Sequence, residues 1–219
     1  MSLFRDRADA GQRLADKLTA YAGRQDVLVL ALPRGGVPVA AEVARRLGAP
    51  LDVYLVRKLG VPGHEELALG AIASGGTIVL NDDVVGGLAI PPSVIDALVR
   101  QERHELERRE RLYRGNRPIP DVTRRVVILV DDGLATGATM RAAVEALRAR
   151  HPARLVVAVP VGAPETCSAL ESLADEVACA VTPEPFYAVG LWYDDFDQTT
   201  DDEVRKLLDQ AGARTPQAA

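Results

Sequence analysis

Short apolar runs that alternate with helical stretches organise most of this sequence. The runs span positions 27–32, 51–56, 126–130, 155–161 and 176–181. The helical stretches between them, with apolar residues at helical spacing, span 37–47, 139–150 and 165–173. Strands that are apolar throughout and alternate with helices indicate a parallel sheet covered on both faces. The pattern predicts an α/β fold with a mostly parallel central sheet flanked by helices.

The remaining segments flank or interrupt this alternation. Helical spacing also predicts helices at 3–22, 93–114 and 201–211. Residues 57–75 are rich in glycine and lack a period, which predicts a long loop with a short strand at 68–73 that pairs with 77–81. Because no clear linker divides the chain, we expect one domain over 1–219. Its core would span about 24–182, with a C-terminal hood at about 183–212 in a small lobe formed from the terminal segments.

Composition and charge narrow the functional classes. The chain of 219 residues has 26 basic and 31 acidic residues and a formal net charge of −5, which argues against broad nucleic-acid binding. No uncharged apolar run reaches the roughly 18 residues that span a bilayer, and the N-terminus has no apolar h-region. We therefore expect a cytoplasmic protein without membrane association. Cys167 and Cys179 lack metal-ligand spacing and are interpreted as buried thiols.

The stretch VVILVDDGLATGAT at 126–139 carries the main candidate chemistry. Asp131 and Asp132 end a predicted strand, and ligands bind beyond the carboxyl ends of strands in open α/β sheets. Two adjacent carboxylates can accept hydrogen bonds from a sugar diol or hold a hydrated Mg²⁺. The small residues at 135–139 lead into a helix, where backbone N–H groups and the helix terminus attract an anion. The alternative is a polar turn with an N-capping threonine.

A second candidate loop is LPRGG at 32–36, after the first predicted core strand. Gly35 and Gly36 allow backbone conformations that expose N–H groups to an anion. Arg34 can pair bidentately with phosphate oxygens. An ordinary turn is the alternative for this short signal.

The 14 residues at 126–139 resemble the phosphoribosyl-pyrophosphate (PRPP) motif of type I phosphoribosyltransferases. The resemblance implies an enzyme that uses Mg²⁺ and PRPP to transfer phosphoribosyl to a nitrogenous base and release pyrophosphate. It implies that Asp131 and Asp132 bind the ribose hydroxyls and organise Mg²⁺. It also implies a 5′-phosphate cradle formed by Ala135, Thr136, Gly137, Ala138 and Thr139.

Two further segments lie at the positions of the family's pyrophosphate loop and flexible catalytic loop. Arg34, Gly35 and Gly36 stand where the family has its pyrophosphate loop. Arg57 and Lys58 resemble the basic residues that open its flexible catalytic loop, where cations would neutralise departing pyrophosphate. A solvent-exposed charge pair is the alternative for these two residues.

Departures from the family pattern leave the acceptor open. Gly133 replaces a usual apolar residue, and Ala135 replaces the aspartate that hypoxanthine-guanine enzymes carry as a proposed general base. In the aromatic-rich tail, Phe186, Trp192 and Tyr193 could stack on a base, or could simply pack the C-terminal lobe. We expect a homodimer. A PRPP-sensing regulator without turnover is the alternative function.

Overall fold

The computed structural model describes residues 2–213, without the side chains of residues 65 and 66. No helix in this range is both long and apolar enough to cross a membrane. The elements in chain order are α1 (Arg7–Lys17), β1 (Val27–Ala31), α2 (Gly36–Leu47), β2 (Leu51–Val53), β3 (Val56–Val61), β4 (His64–Ala73), β5 (Thr77–Leu80), α3 (Asp82–Gly87), α4 (Pro92–Arg114), β6 (Val126–Val130), α5 (Ala138–Arg148), β7 (Arg154–Val161), α6 (Pro164–Leu170), β8 (Glu176–Val181) and α7 (Asp201–Gly212).

The predicted central sheet is confirmed as a five-stranded parallel sheet in the order β2–β1–β6–β7–β8. Every residue of β1 and β6 is buried, because helices cover both faces of these strands. The two strands pair in register from Val27 with Val126 to Ala31 with Val130. They therefore end side by side, and the loops that follow them meet at one edge of the sheet.

The prediction of a long loop at 57–75 is wrong. Strands β3 and β4 form an antiparallel hairpin, and β5 adds a third strand through the predicted pairing with β4. The glycines serve this sheet: Gly63 turns the hairpin at a φ of +78°, and a Cβ at Gly70 would clash with the backbone of β5. Glycine content here marks a tight turn and a close strand approach.

The interpretation of the cysteines as buried thiols is also wrong. Cys167 on α6 and Cys179 on β8 form a disulfide. Gly162 leaves room for it, since a Cβ there would overlap the Cys167 sulfur. The two residues meet because α6 packs back against the strand that follows it. The bond fixes α6 beside the loop that follows β6.

Residues near the N-terminus and the segment 186–196 form one small lobe, as the fold prediction expects, whereas α7 packs against the main core. The backbone N–H groups of Leu3 and Phe4 both donate to the Trp192 carbonyl at 2.9 Å, and the Asp194 N–H donates to the Phe4 carbonyl at 2.8 Å. The Phe4 ring is 1% exposed and lies 5.3 Å from the Tyr193 ring, centroid to centroid. The N-terminal segment therefore holds the aromatic tail against the main sheet.

Candidate functional site

Two of the predicted loops, 33–36 and 131–139, come together at the carboxyl edge of the central sheet. A Cβ at Gly36 would lie 2.8 Å from the Val130 carbonyl oxygen and 3.0 Å from the Asp131 Cα. A Cβ at Gly35 would overlap the Asp132 carboxylate. Only glycine at both positions permits this approach. The glycine loop and the acidic pair therefore form one continuous surface.

The acidic pair is half-buried at the end of β6. Asp131 accepts a hydrogen bond from the Asp132 backbone N–H at 2.9 Å through its Oδ1. Burial raises the pKa of Asp131 well above its usual range, and the charge of Asp132 raises it further. Burial also raises the pKa of Asp132, but the cation of Arg7 opposes that shift. Ligand hydroxyls and a cation would relieve this crowding of negative charge.

Sequence reasoning missed Arg7, the first residue of α1. Its Nε donates to the Asp132 Oδ2 at 2.8 Å, although 125 residues separate the two. Its Nη1 donates to the Asp197 carbonyl at 2.7 Å, and its guanidinium carbon lies 3.9 Å from the Phe196 ring centroid. The charges of α1 carry no local pattern that distinguishes Arg7 from its neighbours.

The loop at 135–139 leads into α5 in the predicted way. Gly137 has a φ of +70° and caps the helix. Thr136, Ala138 and Thr139 are exposed around the first turn of α5, where backbone N–H groups lack helical partners. This arrangement offers N–H donors and two hydroxyls to an anion.

A second contact that the sequence did not reveal fixes this loop from α6. Thr166 Oγ1 donates to the Ala135 carbonyl at 2.6 Å. A cavity of about 230 Å³ opens beside Thr136 and Gly137, and Arg141 and Glu165 contribute to its walls. The disulfide-bonded helix α6 thus supports the loop.

Arg34 of the glycine loop points toward the start of α7. Its Nη1 lies 3.9 Å from the Asp201 Oδ1, which also accepts a hydrogen bond from the Tyr113 hydroxyl at 2.6 Å. Burial and then the Asp201 carboxylate raise the pKa of Tyr113 to about 12. One third of the Arg34 side chain is exposed, so its guanidinium remains accessible to an anion.

The structure places Arg57 and Lys58 on β3, in the three-stranded sheet. The Arg57 guanidinium contacts Glu102 of α4 at 2.7 Å. The Glu102 side chain is only 16% exposed because of this pairing. Lys58 is exposed on the same strand. A catalytic role for either residue stays a prediction.

Tyr193 does not present a face to a ligand, which corrects its assignment as a stacking residue. The residue is 5% exposed, and its ring lies between Phe4 and Phe196 at centroid distances of 5.3 and 4.9 Å. Its hydroxyl donates to the Asp132 carbonyl at 2.6 Å. Tyr193 therefore braces the acidic turn from the lobe.

The other two tail aromatics remain candidates for a planar ligand. Phe186 and Trp192 are partly exposed and stack at 6.4 Å with 28° between their planes. The short helical turn that holds Trp192 also places Val189 against Gly133, where a Cβ would overlap the valine methyls. The glycine at position 133, which replaces the usual apolar residue of the family pattern, thus leaves room for the tail to approach the acidic turn.

Comparisons with known proteins bear on this site. The family model described as the phosphoribosyl transferase domain matches residues 4–189. The crystal structure of TT1426 from Thermus thermophilus superimposes with a TM-score of 0.85 at 46% sequence identity. The match covers 95% of this chain and 98% of that one.

Two curated relatives add sequence evidence. Rv0571c of Mycobacterium tuberculosis (strain ATCC 25618 / H37Rv), provisionally named a phosphoribosyl transferase, is 52% identical over 212 residues, which are 96% of this chain and 47% of that protein. The "Bifunctional protein PyrR" of Chloroflexus aurantiacus is 37% identical over 132 residues, 58% of this chain and 65% of that protein. The chain spans about half the length of its mycobacterial relatives.

The resemblance carried by residues 126–139 is confirmed at the level of the family. The family match includes β1, the glycine loop, the acidic pair and the start of α5. This chain belongs to the phosphoribosyl transferase domain family.

Proposed function

We propose that this protein is a Mg²⁺-dependent phosphoribosyltransferase that joins the phosphoribosyl group of PRPP to a nitrogenous base. The observation that carries the proposal is the packing of Gly35 and Gly36 directly against Asp132 and Asp131. An anion-binding loop, a diol-binding acidic pair and a helix N-terminus then adjoin one another. Pyrophosphate, ribose and 5′-phosphate are linked in the same order in PRPP.

Each group has a distinct task in the proposed reaction. Asp131 and Asp132 accept hydrogen bonds from the ribose hydroxyls, while 135–139 bind the 5′-phosphate through backbone N–H groups. Residues 34–36 hold the pyrophosphate, which leaves with the electrons of its bond to C1 as a base nitrogen forms the new bond. The protein contributes positioning and electrostatic stabilisation.

The acidic pair suits Mg²⁺ as a shared ion of protein and substrate. No cluster of three or more metal-binding side chains occurs within the described residues. Mg²⁺ commonly keeps several waters and binds one or two carboxylates together with substrate phosphates. The two half-buried carboxylates of Asp131 and Asp132 fit this mode of binding. When bound, the ion would neutralise charge on the departing pyrophosphate.

The tail supports a planar heterocycle as the acceptor. The indole Nε1 of Trp192 is buried and has no hydrogen-bond partner among the described residues. Because this atom is closed off from solvent, a bound base would contact the ring face of Trp192 and not its N–H. The stacked Phe186–Trp192 pair offers an aromatic surface for this contact.

Replacing Trp192 with alanine should weaken acceptor binding about tenfold, because stacking contributes roughly 1–3 kcal/mol per base. PRPP affinity should not change, since the PRPP loops lie at 34–36 and 131–139. The steady-state KM for the acceptor reports the effect in the variant, and in the wild-type protein the fluorescence of the single Trp should respond to acceptor binding.

Tyr187→Ala is the matched control, because Tyr187 is 77% exposed in the same segment and lies outside the stacked pair. Turnover that is unchanged in Trp192→Ala would contradict base binding by the C-terminal hood but would not contradict the proposed transferase activity.

The deciding experiment is pyrophosphate release from Mg²⁺–PRPP across a panel of purines, pyrimidines and related heterocycles. We expect release with at least one acceptor. PRPP binding without release for any acceptor would favour the second candidate, a PRPP-sensing regulator. That candidate draws support from the similarity to the "Bifunctional protein PyrR" of Chloroflexus aurantiacus, a protein named for two functions.

The remaining parts of the proposal concern assembly and location. Ile78 and Leu80 are exposed on the edge strand β5, which supports a homodimer. The acidic net charge of −5 supports an absence of nucleic-acid binding. We place the protein in the cytoplasm as part of the same proposal.

A further inference from the structure

A single cation from the N-terminal helix contacts the acidic pair. The Arg7 side chain is 12% exposed and that of Asp132 is 16% exposed, so their 2.8 Å contact is shielded from solvent. Arg7 is constrained from two more sides, by the Asp197 carbonyl and by the Phe196 ring. Such a contact is stronger and better defined than an exposed ion pair.

The surrounding fold is built to bring Arg7 to this point. Helix α1 packs so closely on α2 that a Cβ at Gly11 would lie 2.6 Å from the Val39 carbonyl oxygen. Asp6 caps α1 by accepting a hydrogen bond from the Asp9 N–H. The backbone of Phe4 pairs with the tail, which fixes the chain just before the helix. Arg7 is therefore held by packing, capping and tail pairing together.

The contact affects one oxygen of Asp132. Arg7 Nε bonds to Oδ2, and this leaves Oδ1 for a ligand. The Asp132 carbonyl is bonded to the Tyr193 hydroxyl at the same time. Both the side chain and the backbone of this residue are thus oriented by the terminal lobe.

We propose that Arg7 is a positioning residue of the PRPP site, which acts through Asp132 and makes the N-terminal helix part of that site. The inference rests on the proposed function. Without the guanidinium, two adjacent half-buried carboxylates would repel each other, and Asp132 would lose the partner that fixes its rotamer. The Asp132 side chain would then adopt several rotamers, and its Oδ1 would be oriented toward a ribose hydroxyl in only a fraction of the molecules.

The test is a double-mutant cycle with Mg²⁺–PRPP affinity measured by calorimetry. Arg7→Met retains an unbranched side chain against Phe196 and removes the charge. It should weaken affinity about tenfold, which corresponds to 1.4 kcal/mol. In the Asp132→Asn background the same change should have almost no further effect, because the residue through which Arg7 acts is already altered.

Two controls separate this role from a general effect on the fold. Arg5→Met alters a 74% exposed arginine that pairs with Asp9, and it should leave affinity unchanged. Arg7→Lys keeps the charge but cannot reproduce the fork of bonds to Asp132 and Asp197, so its affinity should fall between those of the wild type and Arg7→Met. If Arg7→Met does not fold, Arg7→Lys takes its place in the cycle.

The outcomes distinguish the inference from the function on which it rests. Wild-type affinity in both Arg7 variants, or losses that add fully in the double variant, would overturn the positioning role alone. Failure of the wild-type protein to bind Mg²⁺–PRPP would overturn the proposed function and the inference with it.

Discussion

Replacing Asp131 and Asp132 together with asparagine should weaken Mg²⁺–PRPP binding by on the order of 100-fold or more. Hydrogen bonds to charged groups contribute roughly 1.5–3 kcal/mol each, and two such acceptors are altered. Asparagine keeps the shape of the side chain but removes the charge that ribose hydroxyls and Mg²⁺ would meet. Calorimetric titration with Mg²⁺–PRPP measures the change.

We expect that Asp131→Asn alone does not lower the stability of the folded protein, for an electrostatic reason. Burial and the neighbouring charge raise the pKa of Asp131 in the folded protein. The folded state therefore binds its proton more tightly than the unfolded state does, and stability falls as pH rises from the ordinary carboxyl pKa to the raised value. Asparagine has no such cost, so Asp131→Asn alone should unfold at a temperature no lower than that of the wild type at pH 8.

The chain offers a control in another pair of adjacent aspartates, at the start of α3. Asp82 and Asp83 are exposed in the first turn of α3. Their double replacement by asparagine should leave PRPP affinity unchanged. Unchanged affinity in the Asp131/Asp132 variant, in contrast, would contradict the assignment of the acidic pair to the ribose.

Local sequence patterns predicted the central sheet and the position of two loops because these features depend on residues close together in the chain. The apolar residues of β1 and β6 specify buried strands, and each strand is followed at once by its loop. Strands that end side by side bring these loops together without any further signal. The meeting of Gly35 with Asp132 is thus a consequence of topology.

The features that the sequence did not predict are contacts between distant segments. Arg7 reaches Asp132 across 125 residues, and Thr166 supports Ala135 from another helix. Neither residue differs in type or spacing from solvent-exposed neighbours. The Cys167–Cys179 disulfide is likewise set by how α6 returns to β8.

Glycine was the most ambiguous residue type in this chain. We expected Gly35 and Gly36 to adopt unusual backbone conformations, but Gly35 has an ordinary φ of −58° and both glycines instead permit close approach to the acidic pair. The glycines around Gly63 and Gly70 were misinterpreted as a loop. Composition cannot tell a glycine that serves a ligand loop from one that serves a hairpin. The strand pattern of buried Leu59 and Val61 was the better local guide.

Replacing Gly137 with valine should abolish protection of the protein by ribose 5-phosphate against thermal unfolding. A β-branched residue is strained at a φ of +70°, and a Cβ there would lie 2.5 Å from the Thr166 methyl carbon. The loop at 135–139 would have to move, and its N–H groups would lose their alignment toward a phosphate. Ligand at 100 times its Kd stabilises a protein by about 2.7 kcal/mol, so a shift in melting temperature reports binding clearly in the wild type.

Gly48→Val separates loss of binding from loss of stability. Gly48 has nearly the same φ, +68°, but nothing lies within 4 Å of a Cβ built there, and the residue ends α2 outside the phosphate loop. Both variants should therefore melt below the wild type because of similar backbone strain. Only Gly48→Val should regain stability when ribose 5-phosphate is added, since its phosphate loop is intact. If Gly137→Val is protected as well as Gly48→Val, the 5′-phosphate does not bind at 135–139, and the acidic pair alone would have to account for ribose recognition.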